Sequence, residues 1–548
     1  MNQQAEGAVP TTFDSPATQE LHTMTHDSGI LPVSGSLRSW AATIFSFPVM
    51  CLFSLFGLIY AMCLKTIAEP DIWWHLRNGR YLEQYHSLPA VDMYSYGAAG
   101  SPWLDHEWLS EIPFYLGFKA MGLPGIVLVY FVVISLIFAA VYYRTCRSGS
   151  DCKDTTLVTC AATFLASVSI GPRTLLFGWL CMAALLILLD QFQRSGKGLW
   201  LVPPLFALWI NLHGSWLLGM VVLAVTIASG LVEGNWGLVT ARRWSPLQLK
   251  KLLITLACSM GALFVNPFGY RLVVYPFDFL FRQPSNMKKI QEWQSVDFNT
   301  PTGKIAMLMI CVLLAAALFS RRRWRLDEVI VATFAVWNGL SHGRLLFFSA
   351  LILPPILASR VRLFPPYDKQ LDKPWLNALV MAGIVGAMIF FFPSQSQLQN
   401  QIDERYPTNA VEFMQRQHLR GKLFNAYHWG GYIEWKAPDF KPFYDGRADI
   451  FVHNGTFDEG FLVAGMKEPF EILNKYRIEY VLFETGTPLS YLLDHSAEWK
   501  VIYADSLAKL YQRVPSASAT GIGSSPLEAQ QRAAPHGTAQ TIAGPISQ

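Results

Sequence analysis

Residues 69–111 read EPDIWWHLRNGRYLEQYHSLPAVDMYSYGAAGSPWLDHEWLSE. The stretch follows the first long apolar run of the chain. It holds Glu69, Asp71, Asp92, Asp105, Glu107 and Glu111, the histidines His75, His86 and His106, and the tryptophans Trp73, Trp74, Trp103 and Trp108. A plain connector between membrane helices needs no such density of acids, imidazoles and rings. Its reading as an active-site loop depends on what surrounds it.

The surroundings are apolar. The chain has 548 residues, of which 52% are hydrophobic and 15% charged, with a mean hydropathy of +0.27. Soluble domains carry about 25% charged residues. Apolar runs recur from 41 to 393, so the expected fold class is an α-helical polytopic membrane protein. About eleven spans are expected by run length, at 41–64, 123–143, 155–170, 174–191, 199–212, 215–233, 252–268, 305–320, 328–341, 344–360 and 376–393. The first run is too long for a cleaved signal and reads as an anchor. The net charge of +4 is too small to imply a nucleic-acid partner. The cysteines form no CxxC pair, which excludes a disulfide framework or a zinc site by spacing.

Basic residues orient the spans. Arg144, Arg147 and Lys153 follow the second span, Arg194 and Lys197 the fourth, and Arg242, Arg243, Lys250 and Lys251 the sixth. Arg321, Arg322, Arg323 and Arg325 follow the eighth, and Arg360, Arg362, Lys369 and Lys373 the tenth. Every second connector is thus short and basic, which marks these as cytoplasmic. The alternate connectors, the opening stretch among them, face outward. So does the chain after 393.

The same ruler sorts the unusual polar residues. Asp71, His75, Asp105, His106 and Glu107 fall outside, with Arg173, Asn211 and His213 (WINLHGSW), Asn266 (VNPFGY), Glu292 (QEWQS), and His342 and Arg344 (LSHGR). Polar side chains at membrane depth are costly and mark function. Their convergence on one face places a site at the outer boundary. Asp71 suits a general base. The guanidiniums of Arg173 and Arg344 suit a phosphate, with Lys288 and Lys289 as additions. Asp105, His106 and Glu107 suit sugar hydroxyls, a partner residue or a divalent cation (Mg or Mn), although the spacing is no metal motif. No P-loop, dinucleotide fingerprint, GxSxG or HExxH occurs.

The expected layout is a disordered cytoplasmic segment 1–38, a transmembrane domain 39–395 with first outer loop 65–122, an outer α/β domain 396–515, and a disordered tail 516–548. Within the α/β domain, strands are expected at 431–435, 442–444, 479–483, 500–503 and 509–512, and helices near 408–417 and 468–476.

Glu69-Pro70-Asp71 opens the loop, and Gly100-Ser101-Pro102-Trp103-Leu104-Asp105 follows about thirty residues later. This resembles the GT-C superfamily of membrane glycosyltransferases, nearest the aminoarabinose and galacturonosyl transferases. In those an adjacent acidic pair opens the loop and a G-x-P-Y/W segment follows; here Pro70 separates the two acids. The chain is also similar to a group of bacterial polytopic membrane proteins with D-x-W-W-H-L, H-E-W-L, N-x-H-G and W-G-G-Y signatures, found here at 71–76, 106–109, 211–214 and 429–432.

The resemblance implies a bacterial inner-membrane enzyme with its active face and C-terminal domain periplasmic. It would move a sugar from a polyprenyl-phosphate donor to an envelope lipid, glycan or protein. By position Asp71 takes the base's role, with Glu69, Asp105, His106 and Glu107 as further catalytic candidates. His75, Trp103, Arg173, Asn211, His213, Asn266, Glu292, His342 and Arg344 are expected to contact substrate. A transporter or flippase of lipid-linked or acidic solutes and a non-catalytic envelope scaffold are the competing readings.

Overall fold

A computed structural model describes residues 37–64, 67, 69–282 and 288–514 of the chain. Apart from residues 37 and 38, which begin a helix, the segments expected to be disordered (1–38 and 516–548) lie outside the described residues.

Helices stand at all eleven expected positions: Phe47–Cys63, Leu123–Arg147, Cys152–Leu165, Leu175–Ser195, Val202–Leu212, Trp216–Ser229, Pro246–Ala262, Pro301–Phe319, Leu326–Ser341, Leu346–Ala358 and Pro374–Phe390. Crossing about 30 Å of hydrocarbon takes roughly 20 residues at 1.5 Å each. By length and composition, Leu123–Arg147, Leu175–Ser195 and Pro301–Phe319 meet that requirement. The pair Pro374–Phe390 and Gln395–Asp403, bent by 59°, makes a fourth if taken as one span. The other seven are shorter, so the eleven expected spans are eleven helices of unequal reach.

The bundle is tied together by large rings. Trp179 stacks on Phe347 at 5.6 Å with the planes 2° apart. Each such pair adds about 0.5–1.5 kcal/mol beyond its buried area.

The first loop is more ordered than a connector. It forms two helices, Ile72–Tyr85 and Trp108–Met121, joined by a hairpin-like turn in which Val91 bridges Pro102. Gly79 lets the helices close on each other, since a Cβ there would lie 2.6 Å from the Cβ of Tyr115. A further helix, Tyr270–Arg282, occupies the long loop at 269–304.

The C-terminal region carries a four-stranded sheet. Leu423–Asn425 pairs in parallel with Tyr480–Glu484, which pairs antiparallel with Ala508–Arg513, and that strand pairs antiparallel with Trp499–Ala504. The last three match expected strands. The piece expected at 431–435 is instead the helix Gly430–Lys436. Its alternating pattern imitates a strand, but tertiary contact decides otherwise. Gly431 seats this helix against the first loop, where a Cβ would come 3.2 Å from the Pro70 carbonyl oxygen and 3.3 Å from the Trp74 nitrogen. The piece at 442–444 contributes only a bridge, Pro442 to Leu423. Leu423–Asn425 has too few residues to show a period.

Candidate active site

The site is assembled at one end of the bundle from the first loop, three helix ends and the C-terminal region. Asp71 occupies the N-cap of Ile72–Tyr85 but makes no capping hydrogen bond. Its carboxylate turns toward the C-terminal region instead. A Cβ on Gly446 would lie 1.7 Å from Asp71 Oδ1 and 3.1 Å from Trp74 Nε1. Burial, then the charges of Glu69 and Glu292, push the Asp71 carboxyl well above the usual carboxylate range.

Beside it, Arg173 lies between two acids, with Nε on Glu69 and Nη2 on Glu292. Burial raises the Glu69 carboxyl. For Glu292 the same burial is outweighed by Arg173 and Arg344, which hold it below its ordinary value. The guanidinium of Arg173, expected to suit a phosphate, is thus paired with two acids of the chain. Arg344 differs. It lies 4.6 Å over the Trp293 ring, and among the described residues no carboxylate pairs with it. His342 steadies this turn through Nδ1, 2.9 Å from the Trp293 carbonyl oxygen.

A second cluster centres on Glu107. His213 Nε2 stands 3.1 Å from Oε1, His106 Nε2 3.3 Å from Oε1, and His75 Nε2 3.6 Å from Oε2. The Thr174 hydroxyl donates to Oε2 at 2.8 Å. Burial alone would raise Glu107, but His106 and His213 outweigh it and hold the carboxyl well below its usual range. The Ser215 backbone N–H donates to His213 Nδ1 at 2.9 Å, so His213 carries its proton on Nε2 and donates to Glu107. Burial lowers His213 and brings His75 down to about 4. For His106 burial is outweighed by Glu107, and the imidazole is raised. Glu107 is thus held toward its ionised form and His106 toward its protonated form, while His75 and His213 are shifted toward the neutral imidazole.

Behind this lies a layer of carboxyls raised by burial. Asn78 donates Nδ2 to Asp105 Oδ2 at 2.5 Å and to Glu111 Oε2 at 2.6 Å. Burial raises Asp105 to about 7 and lifts Glu111 well above its ordinary value, with the charge of Glu107 adding to both and that of Asp105 adding to Glu111. His75 Nδ1 and Glu111 Oε1 share a hydrogen bond of 2.9 Å. The helical period makes this connection: His75 and Asn78 stand three residues apart on one helix, and Glu111 stands four residues after Glu107, the N-cap of the other.

The C-terminal region adds Asp449 and Tyr427, and the long loop adds Tyr275; of the three only Asp449 stands out in the sequence, within PFYDGRADI, where Asp445, Arg447 and Asp449 read as an ion-pair turn or as a face toward the site. Asp449 accepts from the Tyr275 hydroxyl at 3.2 Å, and Tyr275 stacks on His106 at 4.3 Å. Burial and the charge of Asp71 raise the Tyr427 hydroxyl well above its usual value. Tyr275, Asp449 and Tyr427 are distant in sequence from the loop, so only the fold brings them there. Asn78 and Thr174 carried no signal beyond their polarity.

Three expected contact residues have structural partners. Trp103 is buried beneath Arg447, 4.8 Å from the guanidinium. Asn211 donates to the carbonyls of Ala207 and Val265 and accepts from Trp108 Nε1 at 3.1 Å. Asn266 closes its own turn onto Leu263 and Gly269. Lys289 pairs with Asp458 at 2.5 Å. Among the described residues no group of three or more His, Cys, Asp or Glu side chains is set to hold a metal ion. The three imidazole nitrogens turn onto the Glu107 carboxylate.

The fold and site define a helical bundle with apolar helices long enough to cross a membrane and a polar cluster at one end, capped by a small sheet. No family model matches the chain, and no curated protein matches it. Among solved structures, ArnT from Cupriavidus metallidurans bound to undecaprenyl phosphate overlaps 88% of this chain and 99% of its own, with a TM-score of 0.49 and 14% identity. The Archaeoglobus fulgidus oligosaccharyltransferase tethered with an acceptor peptide overlaps 82% of this chain and 69% of its own, with a TM-score of 0.47 and 11% identity.

Proposed function

We propose that the chain is a membrane glycosyltransferase that moves a sugar from a polyprenyl-phosphate donor to an envelope acceptor at the outer, periplasmic face. The observation that carries this reading is that one polar cluster holds a carboxylate and an arginine that no ion pair takes up among the described residues. Asp71 forgoes its capping bond, and Arg344 has no carboxylate partner among the described residues. Between them the Glu69–Arg173–Glu292 chain is internally neutralised.

In this reading Arg344 meets the phosphate, where negative charge develops as the sugar leaves. Asp71 accepts the acceptor's proton. A carboxyl raised by burial is a stronger base than one in water, and base strength close to working pH favours proton transfer. Glu107, kept ionised, holds the imidazoles of His106 and His213 in place beside the acceptor. Glu69 and Glu292 fix Arg173 and tune Asp71 by charge.

The test is Asp71→Asn in the purified chain, with folding followed by thermal melting. Donor and acceptor come from comparing lipid-linked glycans and envelope glycoconjugates of a deletion strain with the parent. Loss of transfer by about 10²-fold or more is expected for removal of a general base. Undiminished transfer by a folded Asn variant would sink the assignment.

A further inference from the structure

At the end of the bundle opposite the candidate site, a cavity of about 160 Å³ opens among five helices. Helix Leu175–Ser195 measures the separation. Thr174, at its start, touches Glu107, and Arg194 lines the cavity about twenty residues on, or roughly 30 Å at 1.5 Å per residue. The floor is apolar, with Leu186, Val222, Val331 and Ile352, and the mouth is charged.

The charges at the mouth do not cancel. Asp190 is taken by Arg144 at 2.8 Å. Asp327 is taken by Arg325, whose Nε donates at 2.9 Å, and Glu328 by Arg360 at 2.7 Å. With each carboxylate matched to its own arginine, Arg194 and Arg322 are left over. Arg322 donates Nη1 to the carbonyls of Ser148 and Ser359 at 3.1 and 3.3 Å, which leaves Nε and Nη2. Arg194 has no carboxylate partner among the described residues. A second cavity of about 320 Å³ shares the Arg144–Asp190 wall with Arg194 and adds Arg147.

We infer that this cavity binds a phosphate-bearing anion, held by Arg194 and Arg322. Guanidinium forks match phosphate oxygens in pairs, and basic pockets between helices at a bilayer surface take anionic headgroups. The apolar floor accepts the first methylenes of a lipid. A free phosphate anion would use the same forks. The inference stands apart from the transfer chemistry, since it uses no residue of the candidate active site.

The test uses the full chain in detergent, exposed to phosphatidylcholine vesicles doped with phosphatidic acid and examined by native mass spectrometry. Inorganic phosphate binding is followed separately by calorimetry. The double variant Arg194→Gln, Arg322→Gln should retain phosphatidic acid at least about tenfold less, as loss of charge-assisted hydrogen bonds predicts. Arg243→Gln, on a loop that does not line the cavity, should retain it like the parent. The double variant Arg194→Lys, Arg322→Lys keeps charge without the fork and should fall between, which separates lost binding from lost folding. Retained phosphatidic acid that the Gln variant loses identifies a lipid headgroup. Binding of inorganic phosphate alone, lost in the Gln variant, identifies a soluble phosphate. Equal retention and equal phosphate binding by parent and Gln variant overturns the inference.

Discussion

Asp71 and Arg173 show how little a residue's type says before its neighbours are known. Both were legible as polar groups near a membrane boundary. The sequence could not show that one would face Gly446 and Trp74 with no capping bond and the other be held between Glu69 and Glu292. The difference predicts two kinds of failure. Arg344→Gln should impair transfer through the donor's KM while melting stays near the parent's. Arg173→Gln leaves two carboxylates facing each other and should lower stability by about 3–5 kcal/mol, read by chemical unfolding. Gly446→Ala forces its methyl into Asp71 Oδ1. It should cut transfer at least about tenfold and cost about 1–3 kcal/mol, as overpacking does. If Asp71 is the base, transfer should rise with pH through an inflection above the usual carboxylate range, and Asp71→Asn should abolish that limb. Asp105 gives a separate pH signature in stability. Its folded carboxyl is raised to about 7, against about 3.9 unfolded, so the folded state holds more protons in between. The stabilisation is full below about 3.9 and is lost as pH rises through about 7. Denaturation at pH 5 and pH 8 should therefore show a larger fall for the parent than for Asp105→Asn.

At the scale of elements, Arg447 joins the first loop to the C-terminal region. Its Nη1 reaches Asp92 at 2.7 Å, Nε reaches Asp445 at 2.8 Å, and Nη2 reaches Glu434 at 3.3 Å. Trp103 and Tyr94 cover the guanidinium. All four charged side chains are buried. Arg447→Met should cost about 3–5 kcal/mol, because it strands buried carboxylates, and limited proteolysis should then cut the C-terminal region first. Arg447→Lys should recover little, since a single ammonium cannot present a planar fork to three partners. In the sequence, Asp445, Arg447 and Asp449 stood out as a dense motif of the outer domain. The 355-residue separation from Asp92 hid the partner. The helix Gly430–Lys436 was misread for a related reason: its two-residue alternation is local, whereas the close seat on Pro70 and Trp74 is not. The strands 480–484, 499–504 and 508–513 were legible because their patterns and their packing agree.

The whole molecule separates its charge into two poles. Hydrophobic runs and basic connectors made the bundle legible, since both are linear properties of a chain that must bury its backbone in lipid. Which helices cross in full is less legible, because run length does not show that helices such as Val202–Leu212 stop short of a full crossing. The gathering of Asp71, His213, Glu292 and Arg344 at one pole followed from connector alternation alone. Their pairing did not, since it depends on rotamers and on the C-terminal cover. That cover has a consequence in time. The first loop leaves the ribosome long before residue 447 is made. At roughly 5–20 residues per second, the wait between Asp92 and Arg447 is on the order of 20–70 s. Through that interval Asp92 has no guanidinium to bury against, and Asp71 has no Gly446 wall. Chains arrested before residue 447 should expose the first loop to protease and show no transfer, so the growing polypeptide stays silent until its last region arrives.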